Sequence, residues 1–418
     1  MVIISIMAMS IAATMMRAGA ATGGLVTPGT LSVGGSSTVA PVANDAKATF
    51  PAYFNALGLA GAGTISAVTV DSSSSGNAFG QLLQTKTPYT DCGQMSRPPT
   101  NAEWQSMQNA QDWAIGVDSV AIVFGSGLTS STDVPKTALQ NLTTLQVGKM
   151  FVINTVTNTS NNQPYYTYWD QFDASLPHQL ITVVVRDTTS GTYDCFQNFF
   201  LTPNGLAGSD KGVKELVPGY VPRQGNGDVY SYMTSPQGQY AVAFISMGYL
   251  HLGGLAPANI QNTLDGKYYA PNVYNVLQGL YQPWRWLWEV TQGIPTTGTI
   301  EVAKSVWISY LKLPGTYNST TSYLQYEGYI AMKPGDMAGT APINDQLIAI
   351  SPNATQTQTI PDGKVDFSDV TYFVDAYIKF YSLHQLNPMA DLDANGVIDF
   401  NDVTAFVSAY IAFWTTPH

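Results

Sequence analysis

Apolar and polar positions along this chain change period repeatedly. Short β-branched and apolar runs, "TISAVTV" (64–70), "DSVAIVFG" (118–125), "LITVVVR" (180–186) and "YAVAFISM" (240–247), predict strands. Between and after them, "NAFGQLLQT" (77–85), "YDCFQNFFL" (193–201) and "YNVLQGLYQPWRWLWEV" (274–290) predict helices. The alternation runs from a Gly-rich lead, "ATGGLVTPGTLSVGG", to about residue 345, and it is the pattern of α/β layers. A polar stretch, "ISPNATQTQTIPDG", follows and carries a linker expected at 346–357. The first sixteen residues, "MVIISIMAMSIAATMM", are uncharged and apolar, shorter than the roughly 20 residues of a spanning helix. With Ala18-Gly19-Ala20 behind them, residues 1–26 read as a signal peptide or a hydrophobic N-terminal segment, so a secreted or cell-surface protein, or one anchored at its N-terminus, is expected. The sequons at Asn141, Asn158, Asn318 and Asn353 fit an extracellular surface.

The last sixty residues carry a repeat. "DGKVDFSDVTYFVDAYI" (362–378) and "NGVIDFNDVTAFVSAYI" (395–411) share eleven of seventeen positions at an offset of 33. In "DLDANGVIDFND", Asp391, Asp393, Asn395, Asp399 and Asp402 stand at positions 1, 3, 5, 9 and 12 of a calcium loop, with Gly396 at 6 for the turn. The carbonyl of Val397 supplies position 7, so the side chains and backbone wrap one hard cation in oxygen. The first copy has Gln358 and Ile360 at positions 1 and 3, leaving Asp362, Asp366 and Asp369. With Asp at position 12, a following helix and a tandem copy, residues 358–413 resemble a type I dockerin, a small all-α, EF-hand-like module. The resemblance implies calcium as cofactor and docking on a cohesin-like partner, or self-assembly.

Composition narrows the classes. The chain has 418 residues, 45% hydrophobic and 11% aromatic, ample for more than one core. Its 17 Lys and Arg against 28 Asp and Glu give a net charge of −11, and nucleic-acid binding, which needs a basic face, is not expected. Cys92 and Cys195 allow one disulfide or two buried thiols. His178, His251, His384 and His418 form no metal-spaced set, and no catalytic triad stands out, so no enzyme is expected.

An anion taken from water must recover hydrogen bonds from fixed donors, and hydroxyl-rich turns at helix starts provide them. Such a turn is "RDTTSGTYD" (186–194), where Arg186 ends a strand, Ser190 and Thr192 can cap a helix, and Gly191 lets the backbone come close. Similar turns are "GGSSTVAPVA" (34–43), "DSSSSGNAFGQLL" (71–83), with Ser74 and Ser75, and "TDCGQMSRPPTNAEW" (90–104), with Ser96 and Arg97. In this order and spacing they resemble the PstS-like phosphate-binding proteins of ABC transporters, as do "LTTLQVGKMF" and the stretches around 240–250 and 272–293.

That resemblance implies a two-lobed, periplasmic-binding-protein-like (type II) α/β fold over residues 27–345. One lobe is expected at 27–118 and 250–345, and the other at 119–249. It implies phosphate or a related oxyanion held by Thr38, Val39, Ser74, Ser75, Arg97, Arg186, Ser190, Gly191 and Thr192, with an ABC permease as partner. Some family members carry Asp where Arg97 stands, to accept the proton of monohydrogen phosphate; Asp187 and Asp71 are candidate replacements. The function expected is extracellular phosphate binding with tethering through the tail. The alternative is a surface or filament-forming structural protein that reuses the fold.

Overall fold

The computed structural model describes residues 25–331 and 365–415, apart from 98, 108, 132, 154–163, 208–215, 319–320 and 366. Most of the N-terminal segment, the linker, Gln358, Ile360, Asp362 and Asp366 lie outside the described residues. The described chain opens with β1 (Thr30–Ser36), α1 (Ala40–Ala46), α2 (Phe50–Ala56), β2 (Ala67–Ser73), α3 (Ser75–Leu82) and β3 (Cys92–Met95). β1 pairs in parallel with both β2 and β3, as helical crossovers require.

Strand β4 (Ala110–Phe124) is 15 residues long and buried along nearly all of its length. After it come β5 (Thr182–Arg186), α4 (Gly191–Phe196), β6 (Val221–Arg223), α5 (Asn226–Met233), β7 (Ala241–Ser246) and β8 (Trp284–Gln292). β8 lies antiparallel along the first part of β4, from Ala110 to Ser119. β7 lies antiparallel along the rest, from Val120 to Phe124. One sheet, ordered β2-β1-β3-β8-β4-β7-β5-β6, therefore passes through both halves of the molecule. The halves meet where Ser119 gives way to Val120.

Two expectations are corrected here. The run 274–290 is helical only over Val273–Leu277; from Trp284 it is strand β8. Pro283 cannot continue the helix, and a run of Trp, Leu and Val buried on both faces suits a central strand between β3 and β4. Residues 250–283, expected with the first lobe, belong to the second. Ala256 and Pro257 pair with β4 at Phe124 and Val123, and the chain returns only at Trp284.

The described part of the tail packs against the first lobe. It forms α7 (Phe367–Leu383) and α8 (Phe400–Thr415), preceded in the chain by α6 (Val302–Lys312) of the first lobe. Phe373 and Phe406, equivalent in the two repeats, stack with centroids 4.9 Å apart. Leu386, Met389, Ala390 and Ile398 share one core with Val302, Val306 and Leu31. The Leu386 N–H donates to Pro295 O at 2.9 Å, the Thr297 N–H to His384 O at 3.0 Å, and Ser309 Oγ to Pro388 O at 2.9 Å. Cys92 and Cys195 are both buried, free thiols. Among the described residues no helix is long and apolar enough to cross a membrane.

Candidate functional site

Three turns of the first lobe converge where their strands end. Ser36 Oγ donates to Ser96 Oγ at 3.0 Å, Ser75 Oγ accepts the Ser96 N–H at 3.0 Å, and the two hydroxyls lie 3.3 Å apart. The second lobe presses its own turn against them. A Cβ on Gly191 would lie 2.3 Å from the Ser96 carbonyl oxygen, so only glycine fits this approach. Ser190 caps α4 by accepting the Tyr193 N–H at 3.0 Å, and Thr189 Oγ1 donates to Ser74 Oγ at 3.0 Å. Thr38, Ser74, Ser75, Ser190, Gly191 and Thr192 are thus gathered at one cleft between the lobes. Val39 is buried there too, but its N–H is spent on Ser36 O at 3.1 Å, so it offers no backbone donor.

Arg186 is the hub of the cleft. Its Nη1 donates to Thr192 Oγ1 at 3.2 Å, and its Nη2 to Ser37 Oγ at 3.0 Å and Gln224 O at 2.8 Å. Nη2 also lies 3.6 Å from Asp187 Oδ2, and Nε has no partner among the described residues. Burial pulls the guanidinium down to about 10, with Asp187 opposing and Arg285 reinforcing the shift, so it stays charged at neutral pH. Asp187 holds the Thr189 N–H with Oδ1 at 3.1 Å, and Asp71 accepts from Gln81 Nε2 at 2.6 Å.

Arg97 departs from its expected role. Both Nη atoms fork onto Glu103 at 2.8 Å, and Nε pairs with Asp194 Oδ2 at 3.1 Å. A planar guanidinium meets a carboxylate through two parallel bonds, and the nearby acids have claimed it. It ties Glu103 of the first lobe to Asp194 of the second rather than standing ready for an anion.

Sequence reasoning missed Arg285, Asp118 and Asn226. Arg285 Nε and Nη2 reach Asp118 Oδ2 at 3.1 and 2.6 Å, and Ser246 Oγ donates to Asp118 Oδ1 at 2.8 Å. Asn226 Nδ2 donates to Thr38 Oγ1 at 3.0 Å, and Tyr329 Oη to Thr38 O at 2.8 Å. The signal was present in "WRWLW": an arginine inside an apolar strand has to be paired.

In the tail, carboxylate oxygens of Asp391, Asp393 and Asp402 lie within 4.8 Å of one another. Burial, then Asp402 and Asp393, hold Asp391 well above the usual carboxylate range; burial lifts Asp402 to about 6. Three converging acids with only oxygen donors fit a hard cation such as calcium. Gly396, at φ +78°, makes the turn expected at position 6 and donates its N–H to Asp391 Oδ2 at 3.1 Å. Asp399 stands outside this trio, its Oδ1 accepting the Asn401 N–H at 2.6 Å, while Asn395, beside Asp393, accepts the Val397 N–H with Oδ1 at 2.8 Å. Of the first loop's acids only Asp369 is described, and it is buried in the first turn of α7.

The chain can be compared with known proteins on this basis. A search of curated proteins finds no match. Among solved structures, one named as a phosphate ABC transporter substrate-binding protein from Clostridium perfringens, with bound phosphate, is 17% identical. It covers 73% of this chain and 100% of its own, with a TM-score of 0.50. A human phosphate-binding apolipoprotein is 11% identical, covering 81% of this chain and 98% of its own, with a TM-score of 0.50. A DING protein gives 11% identity over the same shares, with a TM-score of 0.51. At these identities the likeness is one of fold. The model of the PBP superfamily domain matches residues 20–374, running through the expected linker into α7. With most of its length inside that match, the chain belongs to the PBP superfamily.

Proposed function

We propose that this chain binds phosphate in the interlobe cleft, outside the cytoplasm, as the substrate-binding protein of an ABC transporter. The observation that carries this is Arg186, a buried guanidinium reaching across the lobes to Ser37 with its Nε unpartnered, ringed by hydroxyls and the cap of α4. Donors without acceptors suit a tetrahedral oxyanion, and the phosphate-binding neighbours make phosphate the first choice. Calorimetric titration with phosphate tests it. Arg186→Ala should weaken binding by about 2–5 kcal/mol, the cost of leaving a buried anion undercompensated. Unchanged affinity in that variant would overturn the assignment.

For the tail we propose calcium held by Asp391, Asp393 and Asp402, the bound ion neutralising carboxylates that otherwise repel. A docking role for the helices is supported by an apolar groove of about 490 Å³ between α7 and α8. It is lined by repeat-equivalent pairs, Val370 with Val403, Phe373 with Phe406 and Tyr377 with Tyr410. The same groove favours the alternative of a surface-assembly protein, with a cohesin-like protein or another copy as partner. Native mass spectrometry with and without calcium, followed by sedimentation, distinguishes a metal-loaded monomer from an assembly.

A further inference from the structure

We propose that Arg285 is a second guanidinium of the anion site, binding the ligand beside Arg186; this rests on the oxyanion reading above. Arg285 enters on β8 at the crossing between the lobes, directly opposite Asp118 of β4. Its Nη2 extends past Asp118 to Thr38 Oγ1 at 3.1 Å. The residue is 2% exposed, yet Nη1 has no partner among the described residues. A buried guanidinium N–H without an acceptor bears its full desolvation cost, which an oxygen of a bound ligand or a water would relieve.

Two neighbouring residues connect Arg285 to Arg186. Ser37 Oγ accepts from Arg186, and Thr38 Oγ1 accepts from Arg285, so the two cations are drawn to adjacent positions of one turn. Each guanidinium also keeps one donor without a partner among the described residues, Nε on Arg186 and Nη1 on Arg285. Thr38 adds a directional argument. Its Oγ1 receives hydrogen bonds from both Arg285 and Asn226, which uses both lone pairs and leaves its own proton to be given away. Two guanidiniums and an oriented hydroxyl match a doubly charged tetrahedral oxyanion. Asp118, steadied by Ser246, takes Nε and Nη2 of Arg285, so Nη1 is the donor left for a ligand.

The test compares wild type with Asp118→Asn and with Asp118→Asn combined with Arg285→Gln, titrated with inorganic phosphate at about pH 8. Removing the pair together avoids leaving a buried carboxylate alone, and thermal unfolding checks that each variant folds. The double variant should bind phosphate about a hundredfold more weakly, as loss of a desolvated charge pair predicts. Asp118→Asn alone, which frees the guanidinium from its acid, should bind more tightly, and phosphate should raise its melting temperature more than that of wild type. A double variant within about threefold of wild type would overturn the proposal. So would an Asp118→Asn variant as weak as the double, because Arg285 would then act only through its acid. Wild type that binds no phosphate defeats the phosphate reading itself, and this proposal with it.

Discussion

The interlobe cleft and the tail loop both bury ionisable groups, and they balance them in opposite ways. In the cleft, Glu103 and Asp194 meet Arg97, and Asp118 meets Arg285, each within 3.1 Å. In the loop, Asp391, Asp393 and Asp402 meet one another. The cation acting on Asp391 is Lys312, whose Nζ rests 3.5 Å from Met389 Sδ and which burial pulls down to about 8. One region pairs Arg97 and Arg285 from its own sequence and keeps donors on Arg186 and Arg285 for an anion; the other gathers like charges around a place for a cation.

The contrast can be broken in four places. Asp118→Ala should have the largest effect, since it leaves Arg285 buried and unpaired, at about 3–5 kcal/mol of stability in denaturant unfolding. A loss under about 1 kcal/mol would mean that the cleft is not internally balanced. Next comes calcium, which at a hundredfold excess over its dissociation constant should add about 2.7 kcal/mol. Because the loop shares its core with α6, calorimetry should show chelation lowering the transition of the first lobe as well as that of the tail. Asp391→Ala with Asp402→Ala should abolish the response.

Glu289 sharpens the comparison by showing a third solution. It is buried in β8, accepts from Gln94 at 2.8 Å and Trp307 at 3.3 Å, and is pushed by burial from 4.5 to about 8. The folded chain therefore keeps a proton that the unfolded chain releases above pH 4.5. Stability should fall as pH rises from there to about 8, by up to about 1.4 kcal/mol per pH unit. Glu289→Gln, which mimics the protonated acid, should flatten that slope in unfolding curves taken across the window. The smallest effect is expected from Tyr53, which donates to the carbonyls of Asp393 and Ala394 at 3.2 and 3.0 Å. Tyr53→Phe should cost about 0.5–1.5 kcal/mol, and only while the loop is seated.

Local chemistry was the legible part. The hydroxyl turns, Arg186 and Gly191 could be found in the sequence because each announces itself within ten residues, as does the spacing of Asp391 to Asp402. What stayed hidden depends on partners far along the chain. Arg97 looked like a ligand although Glu103, six residues on, takes both its Nη atoms; only the hold of Asp194 on Nε comes from far along the chain. Arg285 was concealed by a run that reads equally as buried helix or buried strand, a case that periodicity does not resolve. The seating of the tail on α6 was invisible because its surface pattern resembles that of any helix pair.

The single sheet that joins the two halves has a mechanical consequence. Among the described strands β4 alone runs through both halves, and β8 begins beside it at the crossing, with Trp284 opposite Ser119. At that point β4 exchanges its antiparallel partner β8 for β7, so the crossing carries no ladder that continues on both sides. A turn of one half against the other would thus be taken up in a single strand, as two vanes turn on one shaft, with the ladders on either side left whole.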